Sequence, residues 1–137
     1  MKTKIVMLAL IVAFFSCQQK LWAQQGVDDV VRACVDVKNS ARSDGHLKFQ
    51  FRPQNTSGPT TIEVDIAQGD NAEDAAGRIL TAFRQNIDTD YYRIGPRIVS
   101  QASACIQMIQ RRGERFSLNL VVFEGAEGLS VQVQKSL

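Results

Sequence analysis

Carboxylates are the chemistry-bearing side chains that cluster most densely in this 137-residue sequence. Pairs of carboxylates serve hydrolases as general acid and base, and groups of them bind Ca²⁺. The spacing is not that of an EF-hand loop, and Asp70 with Glu73 fits the start of a helix. We therefore expect a solvated acidic face, with a small secreted hydrolase as the alternative. Its acid–base residues would come from Glu63, Asp65, Asp70 and Asp74.

Soft and imidazole ligands are scarce. The sequence contains one histidine, His46, and three cysteines. A zinc site combines several Cys, His or acidic ligands, and a nucleophilic cysteine needs a free thiolate. We therefore expect no metal, no cofactor and no assigned catalytic residue. His46, beside Gly45 at the start of a predicted strand, is interpreted as a surface residue.

The N-terminus has the organisation of a secretory leader. Lys2 and Lys4 precede an uninterrupted run of 11 apolar residues, 5–15, and a polar stretch then ends at Ala23. A helix of this length extends about 16 Å, roughly half of the hydrocarbon core of a bilayer. We predict a signal peptide over residues 1–23 and a single small α+β domain over residues 24–137.

Cys17 has two predicted fates. Cleavage at the end of the leader discards it, whereas a lipoprotein leader ending before Cys17 would leave it lipidated. Phe14 and Phe15 suit a lipoprotein signal poorly, which favours cleavage. In both cases Cys34 and Cys105 remain as an even pair in an exported chain, and this predicts a disulfide between them. Two separate buried thiols are the alternative.

The basic charge of the chain belongs to its leader. Residues 1–23 carry three lysines and no acid, so the remainder has 13 basic against 14 acidic residues, a net charge of −1. A nucleic-acid partner would require a clustered positive surface and is not expected. Contact with a membrane is expected only through a lipid on Cys17. The predicted location is periplasmic or extracellular, or the outer membrane if Cys17 is acylated.

Periodicity predicts the secondary structure. Residues 47–52 and 60–67 alternate apolar and polar side chains and are separated by a turn-rich loop, as in a hairpin. Residues 71–87 repeat apolar positions at three- and four-residue spacing and form an amphipathic helix. Residues 27–38 fit either a helix or a strand, and the same spacing favours a helix there.

The C-terminal half adds further strands. Pro96 makes segment 92–99 an edge or bent strand, and a short glycine-bounded loop between residues 116–122 and 129–133 predicts a second hairpin. The predicted fold is α+β: an antiparallel sheet of five or six strands with one or two helices packed on one face.

Segment 89–97 carries the residue types that protein interfaces favour. Tyr91, Tyr92, Arg93 and Arg97 combine aromatic rings with guanidinium groups around a Gly-Pro bend. We therefore expect an exported, non-enzymatic module of the bacterial envelope that binds another protein or has a structural role. An inhibitor or immunity-type protein is one version of this hypothesis. Besides the hydrolase, a carrier of an apolar small ligand is the other alternative.

Overall fold

The computed structural model describes residues 25–136, which form eight β-strands and one α-helix. The predicted signal peptide and Cys17 lie outside the described residues. In the described part, no helix is both long and apolar enough to cross a membrane. In chain order the elements are β1 (Gln25–Val30), β2 (Arg32–Lys38), β3 (Gly45–Pro53), β4 (Thr60–Ile66), α1 (Ala72–Asn86), β5 (Tyr92–Val99), β6 (Ser103–Gln110), β7 (Phe116–Gly125) and β8 (Ser130–Lys135).

The strands form two antiparallel sheets of four strands each. Sheet A has the order β1, β7, β3, β4, and sheet B has the order β5, β6, β2, β8. The predicted fold, one sheet of five or six strands with one or two helices on one face, is therefore wrong, because residues 25–136 are mostly β with a single helix. Alternation identifies a strand that has one buried face, but it does not show which sheet the strand joins.

Residues 27–38 are strands, so the helix favoured for them is wrong. Asp29 has a positive φ of 50°, and the pairing of β1 with β7 shifts register between Val27 and Val30. The chain then continues from β1 of sheet A into β2 of sheet B. This irregularity resets the alternation of buried positions. It produces the three-residue spacing of Val27 and Val30, and Cys34, on the outer face of sheet B, adds a four-residue step. Together these positions imitate a helical stripe.

The predicted hairpin of residues 47–52 and 60–67 is confirmed, whereas the C-terminal hairpin is wrong. β3 pairs with β4, but β7 pairs with β1 and β3 while β8 pairs with β2 in the other sheet. In the connection between β7 and β8, Gly125, Ala126 and Gly128 have positive φ values of 64°, 45° and 88°. These conformations turn the chain from one sheet to the other instead of folding β8 back along β7.

Helix α1 closes the core on the side where β4 and β5 are edge strands. It packs mainly against β4, and also against β6, β5 and β2, while β1 and β8 adjoin on the opposite side. The Phe83 ring meets Phe49 of β3 edge-on, with centroids 5.0 Å apart. The helix is therefore a third wall between the two sheets. Its buried residues are Ala72, Ala75, Ala76, Ile79 and Phe83.

The predicted helix is confirmed within one residue at each end, but its cap lies one position later than expected. The Asn71 side chain accepts a hydrogen bond from the Asp74 N–H (2.9 Å), and the Asp74 carboxylate accepts one from the Asn71 N–H (3.2 Å). Asp70 is buried and instead bonds to the Ala67 N–H (2.9 Å). Asp70 therefore closes the turn before the helix and does not cap it.

Candidate functional site

Two loops are joined at the end of the sandwich where β5 begins. The backbone N–H groups of Arg111, Arg112 and Gly113 converge on the carbonyl of Tyr91, with N···O distances of 2.9, 3.1 and 3.2 Å. Three donors on one acceptor tie the β6–β7 loop to the turn that precedes β5. The side chains of these two segments are therefore presented from one hydrogen-bonded backbone unit.

The two neighbouring tyrosines have opposite environments. Tyr91 is 49% exposed, whereas Tyr92 is 4% exposed and its ring lies edge-on to Phe51, with centroids 5.0 Å apart. The Tyr92 hydroxyl donates a hydrogen bond to the Glu114 carbonyl (2.8 Å). Burial raises the pKa of Tyr92 above the ordinary value of 10.0. Tyr92 thus anchors the β6–β7 loop from the core, and Tyr91 is the tyrosine that faces solvent.

The exposed residues around Tyr91 form what we call the tyrosine–arginine surface: Tyr91, Arg93, Arg111 and Arg112. Tyr91 and Arg112 line a depression of about 380 Å³, and Arg93 and Arg111 line a second depression of about 510 Å³. Arg97 lies at the irregularity between Pro96 and Ile98 in β5 and lines neither depression. Of the four predicted partner-binding residues, the structure thus places Tyr91 and Arg93 on this surface, Tyr92 beneath it and Arg97 apart.

A second surface, which we call the acidic groove, runs between β4 and α1. It has a volume of about 680 Å³ and also contains Arg78, Gly77 and Thr81. The clustering of carboxylates along the sequence therefore becomes a cluster in space. Four of these residues are exposed, as expected for a solvated face, and Asp70 is buried. The carboxylates that line the groove belong to Glu63, Asp65, Asp70, Glu73 and Asp74.

Each of the four residues of the hydrolase alternative already has an intramolecular partner. A general acid or base must be available to the substrate, so these contacts would compete with catalysis. The partners are Lys48 for Glu63 (Nζ to Oε1, 3.5 Å), His46 for Asp65 (Nδ1 to Oδ1, 2.8 Å), Arg78 for Asp70 (Nε to Oδ2, 2.7 Å) and the Asn71 N–H for Asp74 (3.2 Å).

Cys34 and Cys105 form a disulfide-capable pair on the outer face of sheet B. They lie on the neighbouring strands β2 and β6, both are buried, and their Cα atoms are 6.2 Å apart. Together with the Asp36 carboxylate they bring three metal-ligand atoms within 4.8 Å of one another. A disulfide engages both sulfur atoms, so only the reduced pair would offer this cluster to a soft metal ion.

Two side chains that the sequence did not single out close sheet edges. The Gln25 amide donates to the Val131 carbonyl (2.8 Å) and accepts from the Val133 N–H (3.1 Å), which covers the outer edge of β8. The Arg84 guanidinium donates to the Ile94 carbonyl from Nε (3.2 Å) and Nη2 (3.0 Å), which covers the outer edge of β5. Gln25 and Val131 are 106 residues apart, whereas Arg84 and Ile94 are 10 apart. No periodic pattern identifies either role, because each contact joins two different elements.

Comparison with known proteins places the chain in no family. No protein-family model matches it, and no curated protein matches its sequence. Among solved structures, it is similar to the D2–D3 domains of the flagellar cap protein FliD from Escherichia coli, with 8% identity and a TM-score of 0.36, over 85% of this chain and 90% of that chain. A likeness at this score and identity supports no statement about fold or function.

Proposed function

We propose that this chain is an exported protein-binding module that presents the tyrosine–arginine surface to another protein. The observation that carries the proposal is the convergence of three backbone N–H groups on the Tyr91 carbonyl. It fixes the backbone of the exposed Tyr91 and of Arg112, which line one depression, so that binding would not have to order a flexible loop. Tyrosine and arginine are enriched among the residues that dominate binding energy at protein interfaces.

Export is supported by the predicted leader and by the disulfide-capable pair. Structural disulfides persist in oxidising compartments such as the periplasm and the extracellular medium. Because the mature part has a net charge of −1, attraction to anionic lipids is not expected to hold the domain at a membrane. The proposed location is therefore periplasmic or extracellular, with membrane anchoring only by a lipid on Cys17.

An inhibitor or immunity-type protein is the more specific form of this proposal. Such a protein would contact its target through Tyr91 and Arg93, because Tyr92 is buried in the core. The carrier alternative requires an apolar cavity between α1 and the sheets, and Ile79 and Phe83 fill that space in the described part of the chain. We therefore base the proposal on protein binding.

Site-directed photo-crosslinking tests the proposal. The mature protein is prepared with a photoreactive phenylalanine in place of Tyr91 or, as a matched exposed control, in place of Gln132 on the outer face of sheet B. Each is irradiated in the envelope fraction and in the culture fluid of the native host. We expect a discrete crosslinked product from position 91, absent from position 132 and lost when Arg111 and Arg112 are changed to glutamate. Identical products from both positions, or none from position 91, would refute the proposal.

A further inference from the structure

The edge strands of the two sheets differ in whether other residues cover their unpaired backbone groups. Within residues 25–136, four strands lie at edges: β1 and β4 in sheet A, and β5 and β8 in sheet B. β1 adjoins β8, and the Gln25 side chain occupies the β8 edge. The β5 edge is covered by Arg84 and contains Pro96, which has no N–H to offer an added strand. Both devices protect an edge from pairing with another chain.

The β4 edge has no comparable cover. Within residues 25–136, the backbone of Thr60–Ile66 forms hydrogen bonds only with β3, and no side chain of this part bonds to its outer edge. That edge borders the acidic groove, whose other wall is α1. A strand edge beside a groove is the geometry in which an extended peptide adds to a sheet through main-chain hydrogen bonds.

Gly77 keeps the helix wall of this groove open. It lies in the middle of α1 and lines the groove, and a Cβ added at Gly77 would meet no heavy atom within 4 Å. A glycine inside a helix costs about 1 kcal/mol relative to alanine. Packing inside the protein does not require this glycine, because the space over it is empty. The same open space leaves room for a backbone that approaches the helix from outside.

The charge of the groove selects the kind of peptide. Five carboxylates line it against one guanidinium, Arg78, which is paired with Asp70. Lys48 and His46 contact Glu63 and Asp65 only from β3, on the side of β4 opposite the free edge. Glu63 and Asp65 are two residues apart on β4, so their side chains project on the same side of the strand. Basic side chains at every second position of an added strand would lie opposite them, and opposite charges in such cross-strand pairs are favourable.

We propose that the acidic groove binds an extended segment of a partner protein with basic residues at alternate positions, which adds to β4 as a fifth strand of sheet A. This site is separate from the tyrosine–arginine surface, so the inference does not rest on the proposed function. Helix α1 would flank the added strand, and Gly77 would leave space for its backbone.

Two synthetic peptides test the inference by fluorescence anisotropy with the mature protein. One alternates lysine and valine, and the matched control alternates glutamate and valine. We expect the lysine peptide to bind at least about tenfold more tightly than the glutamate peptide, and to bind more weakly as salt screens the carboxylates. Amide hydrogen exchange in β4 should slow when the lysine peptide is bound, because the added strand protects the outer edge.

Matched variants assign the binding to the groove. Gly77→Leu should lower the affinity for the lysine peptide by about tenfold or more. Gly95→Leu, which adds the same bulk at a glycine of β5 with no heavy atom closer than 3.9 Å to its new Cβ, should not. Tyr91→Ala should also bind the lysine peptide with the affinity of the unchanged protein, which separates this site from the proposed function. Thermal unfolding of each variant, followed by circular dichroism, shows that the comparison is between folded proteins.

Several results would overturn the inference. These are equal affinity for the two peptides, unchanged binding by Gly77→Leu, or no binding at peptide concentrations up to about 1 mM. Binding of the lysine peptide without slower exchange in β4 would show attraction to the carboxylates without strand addition. Self-association of the free protein that Gly77→Leu abolishes would instead assign the groove to a second copy of this chain.

Discussion

Reduction of the Cys34–Cys105 pair should lower the free energy of unfolding by about 4 kcal/mol. The two cysteines are 71 residues apart in sequence. A disulfide across them closes a loop of that length in the unfolded chain, and the loss of conformational entropy in that state gives this magnitude at 25 °C. Small domains have net stabilities of about 5–15 kcal/mol. The reduced protein should therefore be only marginally folded if its oxidised form lies at the lower end of that range.

Urea unfolding of the mature protein with and without reductant measures this difference. EDTA is present throughout, so that no metal binds to the reduced thiols and Asp36. The midpoint should fall on reduction, and the m-value should rise because the released chain exposes more surface on unfolding. In the matched variant with Cys34→Ala and Cys105→Ala, reductant should have no effect, and the unfolding curve should lie close to that of the reduced protein.

Two results would refute this reasoning at different steps. Two free sulfhydryls in the denatured, unreduced protein would show that the disulfide is not formed. One disulfide by thiol count, together with equal urea midpoints before and after reduction, would show that its formation strains the folded state as much as it restricts the unfolded state. The two measurements therefore separate the existence of the crosslink from its energetic effect.

Three further predictions concern the helix cap and the anchored loop. Asn71→Ala should lower the free energy of unfolding by about 1 kcal/mol in urea because it removes the acceptor for the Asp74 N–H, whereas Asn71→Asp should lose little. Equal losses in the two variants would contradict the cap. Gly113→Ala should lower the free energy of unfolding by about 1–3 kcal/mol in urea, because the added Cβ would lie 2.6 Å from Cζ of the buried Tyr92 ring. Burial raises the pKa of Tyr92, so the unfolded chain releases this proton near pH 10.0 while the folded chain retains it to higher pH. Stability should therefore fall as the pH rises above this value, and less steeply in Tyr92→Phe; parallel curves of stability against pH would exclude this effect.

Local sequence patterns predicted individual helices and strands more successfully than they predicted which strands pair with each other. The amphipathic repeat of α1 and the alternation in β3 and β4 each report one buried face, and the structure confirms these elements. The assignment of β7 and β8 to different sheets depends on left-handed backbone at Gly125, Ala126 and Gly128. Glycine-bounded loops are common to hairpins and to connections that cross between sheets. The sequence pattern therefore favoured a hairpin that the fold does not contain.

The same limit applies to the candidate sites: the sequence shows which residue types are present, but tertiary contacts decide where their side chains point. The composition of segment 89–97 drew attention to Tyr91 and Tyr92, but it did not decide which ring points inward. That choice follows from the pairing of β5 with β6 and from the contact of Tyr92 with Phe51. The acidic residues were expected on a solvated face because each fits a strand or cap position. The groove exists only because α1 lies beside β4. The spacing of residues along the chain does not predict that these two elements are neighbours.

The position of α1 explains why the core is closed while residues 25–136 leave the β4 edge uncovered. A helix buries apolar side chains, and Ile79 and Phe83 complete the core between the two sheets. Its own backbone N–H and C=O groups are used within the helix, so it cannot pair with the edge of a strand. Arg84 can cover one carbonyl of β5 because its guanidinium reaches past the helix. The β4 edge beside Gly77 receives no such side chain from the described part of the chain. Full pairing of that edge requires another extended backbone.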